Sequence, residues 1–576
     1  VIREMLRRHR LRYAAGALLL LATNGLSVLI PLLLRDAVEA LRQQPELARA
    51  GRFALLIIAV ASMQAAVRIG SRLAMLGASR RVAYELRNHL FAHLQKLPAA
   101  FYSRTTAGDL LSRAVNDMMS IRSFFGPGIM NLINTVIIYV AALALMTRIS
   151  PALTAAALLP LPLILISVQQ VSRRLYVRSR AVQERLASLS ERVQENLSGI
   201  RLVKTYAREE HESWSFEALC AAYRSENLAL ARVRGVLVPL MGSLGGASLL
   251  IAVWVGGRQV ASGDITLGEF VAFAAYLGLL VWPTVAMGWV INMFQRGLVA
   301  MRRLRDILEI PHESDSDGVD PTICELHGDI EFRRLTVAHE DDRSPALRDF
   351  SLRIEAGQTV ALVGPVGSGK STVAEVLPRF IRVPDGTVFI DGHDINRVPL
   401  AVLRQSIGYA PQEAFLFSRS LRENIAFALE ESADDAVEWA ARRAGLDRDL
   451  EGFPEGLETR VGEGGLTLSG GQRQRAALAR AVIRAPRILI LDDSLSSVDA
   501  ETEQQILSGL GALTRQRTTL LISHRLAAVA RADRIVVLRD GRVVEAGSYR
   551  ELMAMGGLFA EMSRRQILEH ELEQQA

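Results

Sequence analysis

The 576-residue sequence predicts a polytopic α-helical membrane region followed by an α/β domain built on a largely parallel sheet. Three observations carry that reading. Six near-continuous apolar stretches of bilayer length crowd the first half of the chain. The character changes after Phe294, where charged, turn-rich sequence begins. From about residue 327 onward, strand-like runs such as TVALV and TTLLIS alternate with helical segments, the pattern of strands joined by helices.

Half of the residues are apolar and the net charge is +6. Basic residues beside apolar spans follow the positive-inside bias, and no RNA- or DNA-binding pattern is present, so nucleic acid is excluded as a partner. The two cysteines, Cys220 and Cys324, lie far apart and fit no metal spacing, which suits a reduced, cytosol-facing environment. A short N-terminal piece is expected to precede Val1.

The apolar spans fall at roughly 14–34, 53–76, 125–147, 152–172, 235–257 and 267–293. Each holds around 20 residues, enough to cross about 30 Å of hydrocarbon as a helix. The basic run VIREMLRRHRLR ahead of the first span should stay in the cytoplasm. An even number of spans returns the chain to that side, so both termini and the second half are expected to be cytoplasmic. The segments 77–124 and 173–234 are Arg-rich and helical in pattern, and should project two helix pairs as long cytoplasmic extensions. Pro31 is read as the end of span one, and Pro283 interrupts span six, sites where helices kink and line a pathway. Arg68 and Arg72, one turn apart near the end of span two, are read as snorkelling to the interface in preference to touching substrate. The boundaries that follow are a membrane domain over 1–300, a linker over 301–326 and an α/β domain over 327–576.

GPVGSGKS, residues 364–371, satisfies the P-loop spacing G-x-x-x-x-G-K-[ST] and follows the strand-like TVALV. Gly364, Gly367 and Gly369 let the chain curl through Pro365, Val366 and Ser368 so that N–H groups point inward at phosphate oxygens. The helix opening near Ser371 and Thr372 adds its positive end. Lys370 is placed to reach the β- and γ-phosphates and Ser371 to hold Mg²⁺. The chain has three lysines, Lys96, Lys204 and Lys370, and one of them stands where the motif needs it. In ILILD, four apolar residues bury a strand and deliver Asp492 at its carboxyl end, 121 residues after Ser371, where it orients the Mg²⁺ shell.

Between these two motifs lies LSGGQRQR, residues 468–475. The three together resemble the nucleotide-binding domain of ABC transporters. Further motifs of that family follow in order. YAPQEAFLF supplies Gln412 at the Q-loop position, and TRVGEGG over 459–465 resembles the exporter-type loop before the signature. SLSSVD puts Asp499 at the D-loop, LLISHR puts His524 at the switch position, and DGRVVEAGS resembles the closing strand pair. Reading IEFRRLTVAHEDD in register puts His339 where the family stacks an aromatic ring on adenine, 25 residues before Gly364. In the membrane half, residues 101–125 and 197–216 resemble the two intracellular coupling segments of exporters. Six spans fused to one such domain match an exporter-type half-transporter, as in the multidrug and antigen-peptide transporters.

The resemblance implies ATP and Mg²⁺ as cofactors, with Ser371, Gln412 and Asp492 at the metal, and Asp493, His524 and Gln412 around the reacting phosphate. It also implies that Leu468, Ser469, Gly470, Gly471 and Gln472 act on the nucleotide of an opposing subunit. Two positions depart from the family: His339 stands where the stacking residue is usually Tyr, and the other follows Asp492. Exporters that hydrolyse well carry Glu after the strand-end Asp, and here that position is Asp493. Losing one methylene withdraws the carboxylate by roughly 1.5 Å, and a misplacement of about 1 Å costs on the order of 10²-fold in rate. Slow hydrolysis at this P-loop, beside an intact LSGGQ, points to a heterodimer whose other half-transporter carries the catalytic Glu. A homodimer is the other arrangement. The expected role is export of an amphipathic drug, peptide or lipid across a bilayer, most plainly a bacterial inner membrane. The alternatives are a lipid flippase, or an ATP-gated channel or regulatory subunit with little hydrolysis of its own.

Overall fold

The computed structural model describes residues 2–43, 46–313, 318–338, 344–430, 434–462, 465, 468–494, 506 and 517–575, apart from some side chains within helices. His339 and Asp499, the expected adenine-stacking and D-loop residues, lie outside the described residues. The chain divides into two compact units: residues 1–95 with 106–310, and residues 96–105 with 311–576.

The first unit is helical. Its long helices are Arg10–Gln43, Leu47–Leu94, Ala107–Ile149, Pro160–Ser198, Glu209–Ser262 and Leu267–Leu308. Among the described residues, Arg10–Gln43, Leu47–Leu94, Ala107–Ile149 and Leu267–Leu308 are long and apolar enough to cross a membrane. The expected spans at 152–172 and 235–257 fall on Pro151–Leu158, Pro160–Ser198 and Glu209–Ser262. Helices of 48 and 54 residues reach roughly 70–80 Å at 1.5 Å per residue, far beyond the hydrocarbon core. Local sequence sets their ends. Ser150 caps the Pro151–Leu158 helix by accepting from the Leu153 N–H at 3.2 Å, with Pro151 at the first position. Gly263, at φ 82, closes Glu209–Ser262, and a reciprocal Thr266–Glu269 cap opens the next helix three residues on.

Large apolar side chains such as Leu55, Ile58, Leu250 and Trp254 stand outward on these helices, while Phe273, Tyr276 and Leu280 form the interior. In water that outward face would be a liability; in a bilayer it is the required surface. Near one end, Arg303 joins Asp109 at 2.8 Å and Asp117 at 3.4 Å, and Arg113 holds Asp109 at 2.8 Å. The five residues Arg113–Asp117 form a π-helical turn that brings this set together.

Two local readings of the sequence change. Pro31 does not end its helix, which runs on to Gln43. A membrane helix tolerates the missing N–H because neighbouring helices and side-chain hydroxyls satisfy the freed groups. Arg302–Leu308, read as linker, continues the last long helix, because Ala300, Leu304 and Ile307 bury one face at helical spacing.

Among the described residues the second unit holds ten strands: β1 Ile330–Val337, β2 Leu347–Ile354, β3 Thr359–Val363, β4 Val388–Ile390, β5 His393–Asp394, β6 Ile407–Ala410, β7 Ile488–Asp492, β8 Thr518–Ile522, β9 Arg534–Arg539 and β10 Arg542–Gly547. An antiparallel sheet has the order β2-β1-β4-β5, and a six-stranded sheet the order β10-β9-β3-β8-β7-β6. From β9 to β6 the pairing is parallel, and β10 folds back through Asp540–Gly541, both at positive φ. Every residue of β7 and β8 is buried, as expected of central parallel strands. The segment 96–105 is tied into this unit: the Lys96 carbonyl accepts from the Glu313 N–H at 2.7 Å, and the Glu313 carboxylate takes a two-pronged bond from Arg404 at 2.7 and 3.0 Å.

The Gly470–Val482 helix packs on β6 at Gly408, where an added Cβ would strike the Ala481 carbonyl and stand 2.6 Å from Pro486 Cγ. Gly408→Ala should therefore lower the stability of this unit by about 1–3 kcal/mol, the usual cost of overpacking. Thermal unfolding of the full-length chain in lipid nanodiscs checks this, and an unchanged transition would show that the helix shifts freely.

Candidate functional site

The strand order brings the expected site residues to one edge. Leu362 of β3 pairs with Ile522 of β8, and Ile522 pairs with Asp492 of β7. Leu491 of β7 then pairs with Ala410 of β6. The loops leaving these four carboxyl ends carry, respectively, Gly364–Ser371, His524, Asp493 and Gln412. A ligand site in the crevice at the strands' carboxyl ends is the rule for such sheets.

The P-loop is built by backbone geometry. Gly364 and Gly369 have φ of 152 and 96, and a Cβ at either would clash with a carbonyl, Leu538 of β9 or, at 2.5 Å, Ala346. A Cβ at Gly367, at φ 80, would meet nothing within 4 Å, so backbone conformation and not space calls for glycine there. Val366 is 93% exposed at the loop's tip. Lys370 is buried, and its ammonium donates to the Gly364 and Pro365 carbonyls at 2.8 Å each and approaches Ser368 Oγ at 3.4 Å. Burial draws Lys370 below the ordinary lysine range, while the charges of Asp492 and Asp493 pull it back up.

Ser371 Oγ donates to Asp492 Oδ1 at 3.4 Å, so two hard oxygen donors face one point. Burial raises the Asp492 carboxyl above the usual range. The Ser371 hydrogen bond opposes this, Asp493 adds to it, and Lys370 and His524 oppose it. His524 is pushed down by burial and by Lys370, against the pull of Asp493 and Asp492. These mutual effects place Lys370, Asp492, Asp493 and His524 in one electrostatic cluster. Asp493 stands at φ 43, in the left-handed region, and its N–H continues the ladder to the Ile522 carbonyl at 2.8 Å. Asp tolerates that conformation better than most residues. Gln412 is exposed on the loop after β6.

The signature segment forms a helix start. Ser469 Oγ accepts from the Gln472 N–H at 3.2 Å, and Gln472 Oε1 accepts from the Ser469 N–H at 2.9 Å. Leu468 is buried beneath, and Gly470 and Gly471 open the Gly470–Val482 helix. This start is pinned by Asp449, which takes Gln472 Nε2 at 3.2 Å and Arg475 at 2.6 and 2.9 Å. Sequence reasoning missed Asp449 and Arg475, because their pairing exists only in the folded chain. It also missed Tyr409 on β6, whose hydroxyl is held protonated by burial and by the charges of Asp492 and Glu375. Ser494 was missed as well; its buried hydroxyl has no partner among the described residues.

A phosphate-cradling loop, a strand-end aspartate, a capped LSGGQ helix and a histidine at the neighbouring strand end define an ATP-binding domain of the ABC type. The chain belongs to the ABC transporter family: the ABC transporter transmembrane region matches residues 13–284, and the ABC transporter domain matches residues 347–496. It is 36% identical, over 97% of its length and 96% of the relative's, to the probable multidrug resistance ABC transporter ATP-binding/permease protein YheI of Bacillus subtilis. It is 33% identical to the ATP-dependent lipid A-core flippase of Photobacterium profundum, covering 85% of this chain and 83% of that one. A solved bacterial Atm1-family ABC exporter with ATP bound superposes with a TM-score of 0.80 at 27% identity, covering 97% of this chain and 99% of that one. The protein is thus an integral membrane ABC exporter, an ATPase that couples ATP to movement of substrate across a bilayer.

Because folded His524 takes its proton at lower pH than an unfolded histidine, the unfolded chain binds that proton first as pH falls. The stability tied to His524 is complete above about pH 6.5 and declines below it. His524→Gln should flatten this acid-side decline in thermal unfolding of the full-length chain between pH 7.5 and 5.5; identical slopes would exclude the imidazole as its source.

Proposed function

We propose that this chain is one half of a heterodimeric exporter that moves an amphipathic drug, peptide or lipid outward by alternating access. Its P-loop site binds ATP with Mg²⁺ but hydrolyses slowly, while its LSGGQ completes the active site of a partner half-transporter that carries the catalytic Glu.

The observation that carries this reading is Asp493. Its main chain is held by the hydrogen bond to Ile522 next to the buried β7–β8 pair, so the backbone has little room to advance and make up for the shorter side chain. The carboxylate stays roughly 1.5 Å short of where a Glu would reach, and a general base must come within hydrogen-bond range of its proton. Binding is supported by the intact cradle, by Lys370 and by the Ser371–Asp492 oxygen pair, which fits a hard cation. Ser371, Asp492 and the exposed Gln412 would hold Mg²⁺, and the ion would supply charge neutralisation at the phosphates. His524, in its neutral form, can accept a hydrogen bond at the terminal phosphate's water. His339 completes the proposal as the adenine platform and Asp499 as the contact across the dimer.

The signature favours a role for another subunit. Among the described residues no hydrogen bond joins Ser469 to the P-loop of the same chain, and its helix packs on β6, three strand positions from β3. Its capped N-terminus presents backbone N–H groups to an incoming anion. Bacterial relatives favour an inner-membrane location, and the basic run ahead of the first span supports termini and an ATP-binding domain on the cytoplasmic side. The kinship with a lipid A-core flippase supports a lipid substrate as the second reading.

ATPase activity in lipid tests the proposal. Alone, the chain should be nearly silent; with its partner it should be active and indifferent to Asp493→Asn. Asp493→Glu should raise turnover by about tenfold or more, since one methylene restores reach. Brisk turnover alone, abolished by Asp493→Asn, would make the homodimer the machine and Asp493 its working base.

A further inference from the structure

The helices Arg10–Gln43, Leu47–Leu94, Ile129–Ile149 and Leu267–Leu308 surround a cavity of about 440 Å³ within the membrane unit. That volume lies in the range of small-molecule sites. Leu47–Leu94 contributes Gln64, Arg68 and Arg72, one full turn apart each, and so a single face of that helix turns inward. The two arginines therefore line the cavity, where the sequence had suggested the membrane interface. Among the described residues no Asp or Glu lines it with them.

Most neutral polar groups of the lining are satisfied within the protein, Asn131 and Asn134 being the exceptions among the described residues. Asn24 donates to the Leu20 carbonyl at 2.9 Å, Ser27 to the Thr23 carbonyl at 3.0 Å and Ser71 to the Gly16 carbonyl at 3.1 Å, while Gln64 donates to Ser27. Arg68 and Arg72 differ. Among the described residues neither has a hydrogen-bond or ion-pair partner, although both stand within the apolar stretch of residues 53–76. An arginine is a permanent cation at physiological pH, and these two exposed side chains one turn apart give the cavity lining a positive wall. An anionic group on an entering ligand supplies the matching countercharge. The part of the lining from Leu267–Leu308, with Trp282 and Leu279, is apolar.

We propose that this cavity binds an amphiphile through its anionic group. Arg68 and Arg72 clasp a carboxylate, sulfonate or phosphate with their forked donors, and the Trp282 side takes the apolar body. The inference narrows the substrate class of the exporter proposed above and rests on that reading for its transport role, although the binding preference stands apart from it.

The test uses the full-length chain in phosphatidylcholine nanodiscs and two probes with one apolar body, pyrenebutyrate and pyrenebutyltrimethylammonium. Energy transfer from tryptophan to pyrene reports binding. The anion should bind at least about tenfold more tightly than the cation. The Arg68→Gln, Arg72→Gln double variant should lose that preference with its affinity for the cation unreduced, which also shows that the fold survives. The corresponding double lysine variant should recover part of the preference. Equal affinity for the two probes in the natural sequence, or a preference that survives the double glutamine variant, overturns the proposal. Adding phosphatidylglycerol to the discs separates the sources: competition identifies a lipid headgroup, and unchanged affinity a free amphiphile, with the anion preference upheld in either case. ATP-dependent uptake of the probes into inverted vesicles with the partner subunit is read in parallel. An anion preference in binding without uptake of either probe removes the export reading and leaves the site. Uptake of both without any preference does the reverse.

Discussion

The adjacency of three parallel strands governs the ATP site. β8 lies between β3 and β7, and all five residues of β7 and β8 are buried. Buried main chain must pair completely, so the register is fixed along the whole ladder. A slip of one residue in β7 would turn Asp492 to the opposite face of the sheet and leave an apolar side chain opposite Ser371. The clash-limited glycine at 364 fits the same frame, since the Leu538 carbonyl it avoids belongs to β9, paired with β3.

Within that frame the charged groups define one another. Lys370, Asp492, Asp493 and His524 share a partly dehydrated space, and each is displaced from its ordinary titration by burial or acts on a neighbour that is. A change at one is felt by the rest. This is the arrangement expected where phosphate charge is handled, and it differs from the surface ion pairs elsewhere on the unit, such as Arg442–Glu438, both of whose side chains are exposed.

Most of this site was legible in the sequence because its parts are contiguous. GPVGSGKS, LSGGQ and ILILD each carry their chemistry in a few adjacent residues, and strand-like flanks announce where they sit. Contacts made by distant residues were not legible. Asp449 looks like any helix-start aspartate until the fold sets it against Arg475 and Gln472. Arg68 and Arg72 posed the same difficulty, because helical spacing says that they share a face without saying which way it turns. Pro31 and Arg302–Leu308 failed for another reason: local breakers and charge argued for an ending, and burial of a continuing helical face outweighed them.

Residues 96–105 belong with the C-terminal unit although they lie deep in the N-terminal half of the sequence. The covalent chain therefore passes from one unit to the other three times, near residues 95, 105 and 310. A graft that exchanged everything after residue 310 for the matching part of a relative would leave a ten-residue piece of the old unit behind, facing a Glu313–Arg404 pair that the newcomer need not own. For this chain the transplantable module is discontinuous, and compatibility between halves of different exporters is decided as much by that short inserted stretch as by the junction itself.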